Sequence, residues 1–321
     1  MSKSPREFSD ITSVAVVGAG LIGCSWAALF AGSGRPVRVF DTRPDAARAL
    51  DDFWAAVAPA LVDLGLARPG QSPQFTVTRD LAEAVEGAEF IQECIPERLD
   101  EKLRLYREME PHLAPGAILA TSSSGLKLTD LQAGLADPGG LIIAHPFNPP
   151  HLVPLVELYG NDRTAPGVLD RASRFYESCG KVTIQLKREV LAHVANRLQA
   201  ALWREAIHLA ATGVASLKDI DTAIWAGPGL RWSIMGPHLL LNLGGGEGGL
   251  RAYCEQFRDS YHIWWDDLGQ PKLDEATIAT LVDGLRKEIG DRDYVALRRE
   301  RDAKLIAVLR ALNDVTLPAP T

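Results

Sequence analysis

The stretch "SVAVVGAGLIGCSWAALFAGSGRPVRVFD", Ser13–Asp41, decides the fold. "SVAVVG" is a short β-branched run of the buried-strand type. Gly18, Gly20 and Gly23 follow it at GxGxxG spacing and open a run with helical periodicity that ends at glycine. "RPVRVFD" then reads as a second strand. Each glycine has its own task at a dinucleotide site: a tight turn, close approach of backbone to pyrophosphate, and close packing of helix on strand. Leu21 and Ile22, between the second and third glycines, bring the N–H groups of the helix start toward the phosphate charge. Asp41 stands 18 residues after Gly23 at the end of the second strand, where a carboxylate can accept both ribose hydroxyls. It would repel a 2′-phosphate, so the expected cofactor is NAD and not NADP; Arg43, two residues on, argues the other way.

Outward from this unit the alternation continues. "FTVT", "AEFIQEC", "GAILATS", "GLIIAH", "VPLVEL" and "KVTIQL" are further strands, with helices between most of them. The segment "DAARALDDFWAAVAPALVDLGL" reads as a helix that Pro59 should kink or break. Alternation of this kind predicts an α/β fold, a Rossmann-type, mostly parallel sheet with helices on both faces. From Glu189 the pattern turns helical, beginning with "EVLAHVANRLQAALWREAIHLAATG" and its cap at Gly213. The expected organisation is a nucleotide-binding domain over residues 1–187 and an all-helical domain over 188–321.

Composition narrows the function. A hydrophobic fraction of 46% and a charged fraction of 23% are those of a globular protein. A net charge of −7 without a basic patch argues against nucleic acid as a partner. Four scattered cysteines without a CxxC pair, and seven histidines without ligand spacing, suggest reduced thiols and no metal. No apolar run approaches the roughly 18 residues of a spanning helix, and the polar start "MSKSPREFSD" has no secretory character. The expectation is a soluble cytoplasmic protein without a membrane partner.

Ligands of an open parallel sheet sit beyond the carboxyl ends of its strands. Ser124 follows one such strand and His145 ends another. Glu157 lies among Leu155, Val156 and Leu158, so its carboxylate should be buried and in need of a partner. An imidazole suits it, since the carboxylate would fix the tautomer and stabilise the charged ring. Without the nucleotide site, His145 reads more readily as a loop histidine capping a turn before Pro146.

Together "GAGLIG", "SSSGL", "HPFNPP…VELYG" and "ANRLQ" resemble the 3-hydroxyacyl-CoA dehydrogenase superfamily, in its order and near its spacings. The resemblance implies that His145 is the base that takes the 3-hydroxyl proton and Glu157 its orienting acid. It implies that Ser124 and Asn196 bind the substrate oxygen in an interdomain cleft, and that Glu97 and Lys102 meet the nicotinamide ribose; apart from the resemblance, Asn196 reads equally as an exposed helix asparagine, and Glu97 and Lys102 as surface helix charges. It also implies a homodimer formed through the helical domain. Acyl-CoA members carry a lysine-rich helical insertion in the first domain, whereas this chain has no lysine between Lys3 and Lys102. "HPFNPP" and "GPGLRWSIMGP" are closer to the branch holding carnitine 3-dehydrogenase, L-gulonate 3-dehydrogenase and lambda-crystallin. A small free 3-hydroxy acid is therefore the expected substrate, with a CoA thioester or a non-catalytic crystallin-like role as alternatives. Arg231, beside Trp232, is the candidate carboxylate clamp, because a guanidinium fork matches a carboxylate; it reads equally as a structural arginine at a helix or dimer contact. Trp225, Trp232, Trp264 and Trp265 offer faces for a trimethylammonium group, although such tryptophans more often belong to core or dimer contacts.

Overall fold

Short runs of Val, Ile, Leu, Ala and Phe form eight strands in the computed structural model, which describes residues 9–314. They are β1 (Val14–Val17), β2 (Val37–Phe40), β3 (Phe75–Thr78), β4 (Phe90–Glu93), β5 (Ile118–Thr121), β6 (Leu141–Pro146), β7 (Leu155–Tyr159) and β8 (Val182–Gln185). All eight coincide with expected strands. They make one sheet in the order β3-β2-β1-β4-β5-β6-β7-β8. Pairing is parallel except between β6 and β7, which run antiparallel. The polar start Met1–Phe8 and the tail beyond Asp314 lie outside the described residues.

Helices α1 (Leu21–Gly32), α2 (Ala46–Asp63), α3 (Leu81–Val85), α4 (Leu99–Met109), α5 (Leu128–Leu131) and α6 (Val168–Ser178) flank the sheet. Successive strand residues point to opposite faces, so Val14 and Val16 enter one core and Ala15 and Val17 the other. The first core centres on Trp26, Phe30, Phe90, Phe175 and Tyr176, and the second on Leu105, Tyr106, Met109 and Leu141. A sheet covered on both faces needs continuous apolar strands, which is why the buried β1, β5 and β6 read as nearly unbroken apolar runs. Helix α2 runs on through Pro59, so the proline does not break it. Pro59 lies on the exposed side of α2, where water can serve the carbonyl that loses its N–H partner.

Among the described residues only helices follow β8: α7 (Ala195–Ala211), α8 (Leu217–Ala226), α9 (Pro228–Trp232), α10 (Pro237–Gly244), α11 (Gly249–Asp267), α12 (Glu275–Ile289) and α13 (Tyr294–Asp314). Side chains of Ser216 and Asp274 cap α8 and α12 by accepting backbone N–H groups three residues on. Gly213, after α7, has the left-handed φ of 74° expected of a C-terminal cap. None of the described helices is long and apolar enough to cross a membrane.

The chain divides into two compact units, one up to Val194 together with the residues from Asp302 on, the other Ala195–Arg301. The first break therefore falls after Val194 and not after residue 187. Residues 188–194 are tied to the sheet unit: Glu189 accepts the Leu128 N–H at 2.7 Å, and Glu157 accepts the Val194 N–H at 2.8 Å. For the same reason α7 starts six residues later than its amphipathic pattern suggests.

Candidate active site

The glycine turn has the geometry its spacing implies. Gly18 sits at φ 97°, open to glycine but strained for other residues. A Cβ on Gly23 would lie 1.7 Å from the Gly18 carbonyl oxygen, so only glycine lets α1 approach β1 this closely. A Cβ on Gly20 would meet nothing within 4 Å, leaving open space at the start of α1 where a pyrophosphate would approach. Leu21 is exposed and opens α1, whose first turn carries no acidic side chain to compete with an anion. Asp41 accepts the Ala19 N–H at 2.7 Å and pairs with Arg43 at 3.1 Å. Burial pushes the Asp41 carboxyl up, but the N–H groups of Arg43 and Ala19 and the Arg43 guanidinium outweigh it and hold it below its ordinary value. Arg43 is thus engaged by Asp41. These residues fit NAD.

Glu97 has a definite role in the loop after β5. Its Oε1 accepts from Ser123 Oγ at 2.6 Å and from the N–H groups of Ser124, Gly125 and Leu126 at 3.0, 2.7 and 3.2 Å. One carboxylate therefore fixes the loop that carries the exposed Ser124. Burial raises the Glu97 carboxyl, but these donors and Lys102 bring it below its usual range. Lys102 is itself 1% exposed and donates to Glu93 at 2.6 and 2.7 Å, with Glu97 Oε2 at 3.9 Å. Tyr106 and Thr121 also donate to Glu93. Glu93 was not singled out in the sequence, although an acid inside the apolar run "FIQEC" carries the same signal that marked Glu157.

The antiparallel register of β6 and β7 sets His145 directly opposite Glu157. Their side chains meet with Nδ1 2.9 Å from Oε2, both residues buried. A neutral imidazole that donates from Nδ1 carries its lone pair on Nε2. The other Glu157 oxygen takes the Val194 N–H. His193, which sequence reasoning passed over, packs its ring on His145 with centroids 4.8 Å apart and planes tilted by 36°. Its Nε2 lies 3.1 Å from the Ser123 carbonyl, to which it donates. Burial, helped by the His145 charge, lowers the His193 pKa against opposing contributions from the Ser123 bond, Glu157 and Glu97.

The connection between His145 and Glu157 is fastened from below. Ser25 Oγ on α1 accepts the His151 N–H at 2.8 Å and lies 2.8 Å from His151 Nδ1. Lys181, buried over the Trp26 ring, donates to the carbonyls of Pro150 and Val153, the latter at 2.7 Å. His151, without a role in the sequence, is thus an anchor of this loop. In the helical unit Asn196 stands in the first turn of α7, and Arg231 and Trp232 lie exposed on α9. Trp225 on α8 and Trp264 and Trp265 on α11 are exposed as well.

The glycine turn and Asp41 fit a dinucleotide, and the likeness to known proteins makes the chain an NAD-dependent dehydrogenase. Comparison with known proteins gives the family. Residues 13–190 match the NAD binding domain of 3-hydroxyacyl-CoA dehydrogenase, and residues 193–281 its C-terminal domain. The chain belongs to the 3-hydroxyacyl-CoA dehydrogenase family. The L-carnitine dehydrogenase of Streptomyces griseus is 46% identical over 308 residues, 96% of this chain and 92% of that protein. Its counterpart in Pseudomonas putida is 38% identical over 95% of each chain. Among solved structures, an NAD-dependent 5-formyl-3-hydroxy-2-methylpyridine 4-carboxylic acid 5-dehydrogenase superposes with a TM-score of 0.81 at 27% identity. That match covers 95% of this chain and all of the other.

Proposed function

We propose that the enzyme oxidises the 3-hydroxyl of a small free L-3-hydroxy carboxylate, carnitine- or gulonate-like, to the 3-keto acid. The observation that carries this reading is the buried His145–Glu157 pair at the carboxyl edge of the sheet. His145 Nε2 takes the hydroxyl proton as the C–O bond becomes a carbonyl, and Glu157 stabilises the imidazolium that forms. NAD, when bound, accepts the C3 hydrogen with its electron pair. Ser124 binds the substrate oxygen, held in place through Glu97 and, behind it, Lys102. Asn196 as a second oxygen ligand and Arg231 as carboxylate clamp rest on the family resemblance and on guanidinium chemistry; Trp232 beside the clamp would contact the substrate.

Carnitine is favoured among free acids by the names of the relatives. A CoA thioester is disfavoured by the stretch Ala49–Ala67 on and after α2, which has no lysine or arginine to meet CoA phosphates. The test is a screen of carnitine, L-gulonate, 3-hydroxybutyrate and 3-hydroxybutyryl-CoA, following NADH absorbance. The largest kcat/KM is expected on a free acid, with carnitine first. A larger value on the thioester overturns the proposal, and NAD binding without turnover on any of them points to a non-catalytic protein.

The protein is further proposed to be a homodimer through its helical unit. The exposed Trp225, Trp264 and Trp265 form apolar surface that a second copy would cover. Sedimentation is expected to give twice the chain mass, and Trp264→Glu with Trp265→Glu to shift it toward the monomer.

A further inference from the structure

We propose that His193 is a positioning residue of the dehydrogenase, one that holds the ring plane of His145 while binding the loop that carries Ser124. The inference rests on the reading of His145 as the base. The hydrogen bond from Nδ1 to Glu157 fixes one edge of the His145 ring. An edge hydrogen bond by itself resists rocking of a ring only weakly, and rocking swings Nε2 away from the hydroxyl it must deprotonate. A flat neighbour on the ring face removes that freedom, and His193 supplies it at 4.8 Å between centroids.

Three features show that the contact is built and not incidental. Ala192 and His193 both adopt left-handed φ, 64° and 53°, a conformation that non-glycine residues seldom adopt. Strained backbone of this kind persists only where surrounding contacts hold it. The turn delivers two groups to one site, the His193 ring to His145 and the Val194 N–H to Glu157 Oε1. The ring is then anchored at its far edge, where Nε2–H donates to the Ser123 carbonyl one residue before Ser124. Ser123 in turn donates from Oγ to Glu97. Base and oxygen-binding loop thus meet at the His193 side chain, and the orienting acid meets the next residue's N–H, immediately before the chain enters α7. His193 is also kept neutral by burial, so it packs on the imidazolium of the reaction without opposing its charge.

The test compares His193→Ala, His193→Phe and His193→Gln on the free acid with the highest turnover, alongside His145→Gln. Small misplacements of a reacting group cost about 10²-fold, so His193→Ala is expected to lower kcat by about 10- to 100-fold. NADH affinity by fluorescence titration is expected to stay within about twofold, because His193 is remote from the glycine turn in the contacts it makes. Phe keeps a flat ring and is expected to recover most of the lost kcat. Recovery by Gln and not by Phe overturns the proposal, since the Ser123 bond and not the ring would then matter. Wild-type kcat in His193→Ala overturns it too, as does a joint fall of kcat, NADH affinity and thermal midpoint in Ala and Phe alike. If His145→Gln keeps its turnover, the base reading fails first. If His145→Gln is dead while His193→Ala is normal, only the role of His193 falls.

Discussion

The sheet unit packs Trp26, Phe30, Phe90 and Phe175 against one another out of water, whereas the helical unit leaves Trp225, Trp264 and Trp265 more than half exposed. Among the described residues, the only buried apolar side chains beyond Val194 are those of Ile207, Ala210 and Ile220. Exposed apolar area forgoes roughly 25 cal/mol per Å² relative to burial, which the proposed association of the helical unit would recover. A closed core holds groups within tenths of an ångström, as the His145–Glu157 pair requires. An open helical surface can change with ligand and partner at little cost. Chemistry is therefore expected to respond to changes in the first unit, and substrate affinity and assembly to changes in the second.

The hardest test of that division is His145→Gln. Loss of a general base typically costs 10²- to 10⁴-fold, and turnover is expected to fall by about 10³-fold or more with NADH binding nearly unchanged. A loss of cofactor affinity instead would make His145 structural. Glu157→Gln is next: the amide keeps the shape but not the charge that stabilises the imidazolium. A fall in kcat of about 100-fold is expected in stopped-flow or steady-state assays, and an unaltered rate would remove the pair from the mechanism. Arg231→Met probes the other side of the comparison. A hydrogen bond to a charged group contributes about 1.5–3 kcal/mol, so KM for free acids should rise about 10- to 100-fold while esters of the same acids are little affected. An equal rise for acids and esters would free Arg231 from the clamp role.

What the sequence discloses follows the same division. Every strand was legible, the central ones because a sheet covered on both faces requires apolar runs, and the edge strands β3 and β8 because "FTVT" and "VTIQ" are rich in β-branched residues. The pair was legible because an acid in "VPLVEL" cannot be buried alone. The contacts that complete the site were not. His151 finds Ser25 across 126 positions, and His193 finds Ser123 across 70, and neither partner leaves a local mark. The segment ahead of α7 misled because "EVLAHVANRL" keeps helical periodicity through Ala192 and His193, whose left-handed φ values have no glycine or asparagine to announce them. Lys102 looked like a surface charge because its partner, Glu93, lies hidden within β4.

The smallest expected effect concerns the anchor beneath the site. Burial pushes the Lys181 ammonium from the ordinary 10.5 down to about 7, while the Pro150 and Val153 carbonyls and the Trp26 ring favour the charged form. Between these two values an unfolded chain holds a proton that the folded chain has released. Stability must then rise with pH across that window. Lys181→Met cannot titrate, so the wild type should gain on it as pH climbs from 7 toward 10. Each pH unit contributes at most about 1.4 kcal/mol, and the carbonyl acceptors keep the slope below that ceiling. Urea denaturation of both proteins at pH 7, 8 and 9 measures the difference directly. A constant gap would mean that Lys181 stays charged, and that the loop between His145 and Glu157 is held by an ordinary buried ammonium on two carbonyl oxygens.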